Sequence, residues 1–134
     1  MTLEALRLKL VAAAVGVDVA QVVFDYSNYL NHGSKTYPLA LWDFNNLEGE
    51  GFMVAGEESD LRINCWFVTS VTPEDDVVKR HLIWDGLIAD AKAYLDAVND
   101  QTDLQIRNIR ELPFEFFPAG LLSPEREMAV RYRI

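Results

Sequence analysis

The most concentrated set of chemically capable side chains is the glycine-rich stretch DFNNLEGEGFMVAGEESD at residues 43–60. It lacks Lys and Arg and holds six carboxylates: Asp43, Glu48, Glu50, Glu57, Glu58 and Asp60. An EF-hand loop starting at Asp43 needs Asp or Asn, Gly and Glu where the chain has Leu47, Glu48 and Val54. Because that motif fails, the sequence favours an acidic β-arm or loop between two strands, with weak calcium binding as the alternative.

Residues able to catalyse reactions or bind metal are isolated elsewhere in the chain. His32, His81 and Cys65 do not have the close spacing of zinc ligands, and Cys65 lies in an apolar strand pattern typical of a core thiol. His81 precedes Asp85 by one helical turn, a spacing at which a carboxylate orients an imidazole, but no nucleophile lies nearby in the sequence. The sequence therefore predicts no catalytic residue, no metal site and no cofactor.

Size and composition indicate one domain spanning residues 1–134, half of whose residues are apolar. The formal net charge of −9 disfavours tight binding to nucleic acid, which needs basic side chains on the phosphates. No apolar run approaches the ~18 residues of a membrane span. The single cysteine allows no internal disulfide, so a cytoplasmic location is the default expectation.

Helical spacing at the N-terminus predicts a helix that Thr2 caps and Gly16 ends. The residues expected on its buried face are Leu3, Leu6, Leu10, Val11 and Ala14. A second short helical stretch is expected from Asp18 to Gly33, which makes residues 1–33 an N-terminal helical segment. The run VVFDYSNYL within it is equally compatible with an extended chain.

Strand patterns follow at residues 39–44 and 61–70, and again in LQIRNIREL and REMAVRYRI near the C-terminus. Both faces of strand 61–70 are apolar, so it is expected to be central and covered on both sides. Between these pairs, a proline and two acids after Thr72 open a long helix to about Asn99. The order predicts an α+β fold: a mainly antiparallel sheet of four to five strands with the long helix and the N-terminal helix packed on it.

Three features exceed what a small core needs, and each predicts a subunit interface. Val78 and Leu82 lie opposite the long helix's main apolar face, in line with small residues that are Gly86, Ala89, Ala93 and Ala97. This strip is expected to contact either the first helix or another subunit. The proline-bracketed segment LPFEFFPAGLL contains Phe114, Phe116 and Phe117, which pack in their own core or in a partner's. If the last two strands pair, Arg107, Arg131 and Arg133 share an outward face, which suits a head-to-tail contact with the acidic arm of an identical subunit.

The segments YPLALWDF, LRINCWFVTSV followed by PEDD, AKAYLDAV and FPAGLLSPEREMAVRYRI together resemble the tail-terminator and tail-completion proteins of tailed phages over roughly residues 37–134. The resemblance implies a non-enzymatic virion protein, assembled in the host cytoplasm, that forms a homo-oligomeric ring at the head–tail junction or head-proximal end of the tail. It also implies docking on neighbouring neck or tail proteins and an arm that reaches an adjacent subunit. DNA would pass nearby without being bound specifically, and no membrane would be a partner. The alternatives are a small enzyme or ligand-binding domain with a pocket between helix and sheet, or a monomeric adaptor.

Overall fold

A computed structural model describes residues 3–24, 36–44, 48–49, 61–71, 77–102, 104–106, 109–111, 115–117 and 126–133. These residues form two helices, α1 (Leu3–Ala12) and α2 (Val77–Asn99). They also form strands β1 (Gln21–Phe24), β2 (Leu39–Trp42), β3 (Glu48–Gly49), β4 (Leu61–Arg62), β5 (Asn64–Val71), β6 (Arg110–Glu111), β7 (Glu115–Phe117) and β8 (Arg126–Arg133). Thr2, the predicted cap, and residues 72–76, the predicted start of the long helix, lie outside the described ranges.

Helix α1 packs through a narrower face than its sequence predicts. Leu6, Leu10 and Ala13 are buried at a spacing of one helical turn, whereas Leu3 and Val11 are 49% and 40% exposed. The expectation that Leu3 and Val11 are buried is therefore wrong. The periodicity allowed either neighbouring face, and contact with the sheet selected the one centred on Leu6 and Leu10.

The predicted second helical stretch is wrong over residues 21–24, which form strand β1 instead. β1 lies parallel to β2, and the Ala20 N–H donates to the Pro38 carbonyl at 2.8 Å just before the two strands align. Val23 is buried in this strand. Its β-branched side chain fits a pleated, half-buried surface better than an exposed helix, so the sheet decides the conformation. Residues 25–35 of that prediction lie outside the described ranges.

The main sheet has the strand order β1-β2-β5-β8-β6, with β7 also pairing with β8, among the described residues. Its mixed part is β1, β2 and β5, because β1 runs parallel to β2 while β5 runs antiparallel to it. β8 extends the sheet on the other side of β5, also antiparallel. The α+β class is confirmed, whereas the predicted count of four to five strands is not.

The helices cover one face of the sheet and form the larger core with it. Ala40 and Trp42 of β2 and Cys65 and Phe67 of β5 contact the helices on this face. The α1 and α2 residues buried in this cluster are Leu6, Leu10, Leu87, Ala91, Tyr94, Leu95 and Val98. A second buried cluster on the opposite face contains Val23, Leu39, Leu41, Trp66 and Val68. The prediction that strand 61–70 is buried on both faces is thus confirmed.

Tyr94 joins both helices to the sheet at the centre of the larger core. Its hydroxyl donates to the Leu10 carbonyl at 2.6 Å and accepts the Trp42 indole N–H at 3.2 Å. The Leu10 carbonyl is available because α1 is ending: the Ala14 N–H donates to Val11 instead of to Leu10. The Phe67 and Tyr94 rings pack edge to face, with their centroids 5.6 Å apart. This buried network fixes where α1 and α2 sit relative to β2.

The segment after α2 is less regular than predicted. The Asn99 side-chain carbonyl accepts the Ile106 N–H at 2.8 Å, and Leu104 and Ile106 pack half-buried against the core. Their predicted inward placement is confirmed. Of the predicted strand over 104–112, residues 104–106 and 109 are not in a strand and β6 covers Arg110–Glu111, while 107, 108 and 112 lie outside the described ranges. The Asn99 contact holds residues 104–106 close to the end of α2. β8 forms where the last strand is predicted.

Two glycines predict opposite effects of alanine substitution. Gly16 has φ of 86°, which an L-residue adopts with difficulty, so Gly16→Ala is expected to lower the unfolding free energy by about 1 kcal/mol. A Cβ at Gly86, exposed within α2, meets no atom within 4 Å, so Gly86→Ala is expected to raise it by about 0.5–1 kcal/mol. Thermal unfolding of both variants at low protein concentration tests the pair. If both substitutions changed the unfolding free energy in the same direction, the different backbone roles given to the two glycines would be wrong.

Candidate interaction surfaces

Cys65 lies near the start of β5, opposite Trp42 of β2 and Tyr132 of β8, and its side chain is fully buried. Burial raises the pKa of its thiol, which keeps the sulfur protonated and away from solvent. Cys65 therefore acts as a small apolar core residue in this conformation, which is the structural role its strand pattern predicts.

Polar side chains on α2 do not assemble a metal site with their neighbours in the described part of the chain. His81 and Asp85 are both exposed to solvent. Asp90 is half-buried, and its pKa is raised first by burial and second by the nearby charge of Asp18. No group of three or more His, Cys, Asp or Glu side chains suited to holding a metal ion occurs among the described residues.

The outer face of α2 exposes the apolar stripe that its sequence predicts. Val78 is 68% exposed and Leu82 is 67% exposed. The residues that continue this stripe along the helix are also exposed: Gly86, Ala89 and Ala93. Ala97 was expected to belong to it but packs half-buried against the core, because α2 turns that position towards the sheet. Below, "the α2 stripe" means Val78, Leu82, Gly86, Ala89 and Ala93.

A second exposed apolar set on α1 was missed by the sequence interpretation. Leu8 is 54% exposed and Val15, just beyond the helix, is 83% exposed. Leu8 lies on the side of α1 opposite Leu6 and Leu10. Since α1 and α2 pack on the same face of the sheet, their outer surfaces face the same side of the molecule. The signal that could have found this set is the second apolar repeat of α1, at Leu8 and Val15.

The acidic arm is anchored by a short antiparallel ladder between β3 and β4. Glu48 is the register partner of Arg62, and Gly49 is the partner of Leu61. These two strands form a sheet of their own, separate from the main sheet in the described residues. The predicted arm between two strands thus has a hairpin base, while Glu50, Glu57, Glu58 and Asp60 lie outside the described ranges.

Asp43, the first acid of the predicted arm, lies in the fold itself. It follows β2 directly, and its N–H donates to the Asn64 carbonyl at 3.1 Å, which continues the pairing of β2 with β5. Only 4% of Asp43 is exposed. Its carboxylate is therefore not part of the molecule's exposed surface, unlike the expectation for a solvated arm.

The remaining predicted interface residues are described in backbone alone or not at all. Arg131 is the register partner of Trp66 on β5, and Arg133 is the partner of both Asn64 and Arg110. Phe116 and Phe117 lie in β7 and pair with Met128 and Glu127 of β8. Arg107 and Phe114 lie outside the described ranges. β6, which lies in the predicted strand 104–112, thus pairs with β8, as the arginine-face prediction requires. That Arg107, Arg131 and Arg133 share an outward face stays a prediction.

Comparison with models of known protein families gives no match, and comparison with curated proteins gives no significant match. Within the described ranges, neither helix is long and apolar enough to cross a membrane.

Proposed function

We propose that this chain is a non-enzymatic structural subunit of a tailed phage, forming a homo-oligomeric ring at the head–tail junction or at the head-proximal end of the tail. The observation that carries the proposal is the β3–β4 hairpin base. A separate two-stranded ladder connected by residues 50–60 suits an arm that leaves its own domain and binds a neighbour. The resemblance of residues 37–134 to tail-terminator and tail-completion proteins gives the arm this role.

Charge distribution supports a head-to-tail contact between identical subunits. The acids proposed for the arm are Glu48, Glu50, Glu57, Glu58 and Asp60, and the proposed receiving surface contains Arg107, Arg131 and Arg133. Because the two surfaces differ, each subunit offers one and receives the other. Repeated contacts of this kind close into a ring or extend as a filament. Opposite charge also speeds and orients the encounter, and salt weakens it.

The ring's outer contacts are proposed to be apolar and its channel acidic. Phe114, Phe116 and Phe117 would join the ring to neighbouring neck or tail proteins, since aromatic side chains commonly anchor interfaces. A net charge of −9 would discourage passing DNA from adhering to the channel wall. The protein would thus be part of the virion after assembly in the host cytoplasm.

The arm contact predicts a specific pattern of assembly. The average solution mass of the unmodified protein is expected to rise above the 15.2 kDa monomer mass as its concentration increases. At high salt this mass is expected to fall back towards that of the monomer. An arm variant with the five arm acids changed to amides, and an arginine variant with the three arginines changed to glutamine, are each expected to lose this assembly. Light scattering on a sizing column measures the mass.

Mixing the two variants is the sharper test. The arginine variant keeps its arm and the arm variant keeps its arginines, so one contact forms per pair and no chain can continue. A complex that contains one chain of each variant is expected, and the arm contact adds no third chain to it. A matched control changes the exposed acids Asp18, Asp96 and Asp100 to amides, which alters net charge but leaves the arm intact. If this control loses assembly as fully as the arm variant does, a general charge effect replaces the arm contact.

A further inference from the structure

We infer that α2 pairs antiparallel with α2 of a second copy of this chain, through the α2 stripe and about a two-fold axis level with Leu87 and Ile88. The contact is distinct from the arm contact and does not depend on the proposed phage function. It assigns a partner to Val78 and Leu82, two large apolar side chains of the long helix that are exposed.

The α2 stripe is a continuous surface on the side of the helix facing away from the sheet. Its members are spaced at three or four residues, so they line one face over about four turns. The buried residues Leu87, Ala91 and Tyr94 occupy the opposite side and hold the helix on the sheet. A second helix can therefore approach the stripe without disturbing the core.

Side-chain size along the stripe favours the antiparallel direction. The bulky residues Val78 and Leu82 lie in the N-terminal half, and the small residues Ala89 and Ala93 lie in the C-terminal half. An antiparallel pair sets Leu82 opposite Ala93 of the second copy and Gly86 opposite Ala89. Large side chains then fill the space above small ones, which gives dense packing. A parallel pair would instead oppose Leu82 to itself and leave the alanines apart.

Charge on the flank of the stripe favours the same direction. Asp85 and Lys92 are both exposed and lie seven residues apart, hence on the same flank. In the antiparallel register Lys92 lies within about one turn of Asp85 of the second copy, and the reverse pair forms by symmetry. In a parallel pair the same flank of each copy would lie on opposite sides of the contact, so Asp85 and Lys92 of the two copies would not meet. Opposed helix dipoles also favour the antiparallel arrangement.

The helical side of the molecule is also nearly neutral within an acidic chain. Residues 3–24 and 77–102 together contain five basic residues, Arg7, Lys9, Lys79, Arg80 and Lys92. The same ranges contain six acidic residues: Glu4, Asp18, Asp85, Asp90, Asp96 and Asp100. Their net charge is −1, against −9 for the whole chain. Two copies can therefore meet through this side with little of the repulsion that their overall charge would produce elsewhere.

A two-fold contact closes on itself and cannot extend a ring. Combined with the proposed arm contact, it would join two rings face to face, whereas alone it gives a dimer. The two contacts are consequently separable by mutation.

Sedimentation equilibrium of the full chain in the arm-neutralised background tests the pairing, because ring assembly is disabled there. A concentration-dependent dimer is expected, and Leu82→Asp is expected to weaken it at least about ten-fold. Ile109→Asp is the matched control, since Ile109 is 51% exposed and lies outside both helices. A monomer at every concentration, or equal loss with both substitutions, overturns the pairing. The variant-mixing experiment, repeated with Leu82→Asp in both chains, decides the arm contact independently of this result.

Charge reversal tests the register. Asp85→Lys and Lys92→Asp are each expected to weaken the dimer about ten-fold, while the double variant restores most of the affinity. Cysteine cross-linking is the second measure, because native Cys65 is fully buried. A mixture of Leu82→Cys and Ala93→Cys chains is expected to form disulfide-linked dimers, and neither chain alone should do so. Efficient cross-linking of Leu82→Cys with itself, or no rescue in the double charge variant, overturns the antiparallel register.

Discussion

Tyr94→Ala is expected to destabilise the protein by at least about 5 kcal/mol, enough to leave a domain of this size largely unfolded. Tyr94 is fully buried between the helices and the sheet. Truncating a buried aromatic side chain costs about 3–5 kcal/mol through lost burial and the cavity left behind. The substitution also leaves the Leu10 carbonyl and the Trp42 indole N–H without the hydroxyl that they share. A buried polar group that loses its partner adds about 1–3 kcal/mol.

Tyr94→Phe separates the two contributions. The ring and its contact with Phe67 stay, so only the hydroxyl network is lost, and a cost of about 2–3 kcal/mol is expected. Trp42→Phe removes the indole donor and keeps the Leu10 bond. A double-mutant cycle between these two substitutions should give a coupling free energy clearly above zero. Denaturant unfolding measures the free energy of unfolding of the unmodified protein, the two single variants and the double variant. The comparison requires that all four have the same m-value. If Tyr94→Phe is neutral, the hydroxyl does not hold α1 to α2.

Raising the pH above about 9 is expected to cause the second large effect, a steep loss of stability. Burial raises the pKa of the Cys65 thiol well above its ordinary value of 9.0. Burial also raises the pKa of Tyr94 well above 10.0, with a smaller contribution from the neighbouring Cys65 charge. Both groups stay protonated in the folded protein at pH values where the unfolded chain has lost those protons.

The direction of the effect follows from proton linkage. Stability is fully present below the unfolded pKa values, and above them the folded state binds more protons than the unfolded state. The free energy of unfolding should fall by about 1.4 kcal/mol per pH unit above pH 9 for Cys65, and by the same amount again above pH 10 for Tyr94.

Cys65→Ala is the control that assigns the first part of this slope. It removes the thiol's titration at the cost of a small cavity, so stability is lower at neutral pH but flatter between about pH 9 and 10. Urea unfolding at stepped pH values measures both slopes. An unchanged slope in Cys65→Ala would mean that other groups, and not the buried thiol, cause the alkaline loss.

The local sequence determined those features whose physical cause is local. The apolar alternation of residues 61–70 requires a strand buried on two faces, and the structure places Cys65 and Phe67 in one core cluster and Trp66 and Val68 in the other. The 3.6-residue repeat of α2 identified both its buried face and its exposed stripe. Gly16 was expected to end α1, which stops earlier, at Ala12, and its positive φ lies in the turn that follows. These features depend on period and backbone preference, which neighbours in the sequence specify.

The tertiary structure decided features that depend on partners far apart in the chain. Residues 21–24 became a strand because β2 offered a parallel edge, although their local pattern was compatible with either conformation. Asp43 is buried because β5 continues its pairing beyond β2. The Tyr94 hydroxyl meets Leu10 across 84 positions of sequence, which no periodicity reveals. Such contacts form only when the helices and sheet pack together, since burial and the satisfaction of polar groups are properties of the whole core.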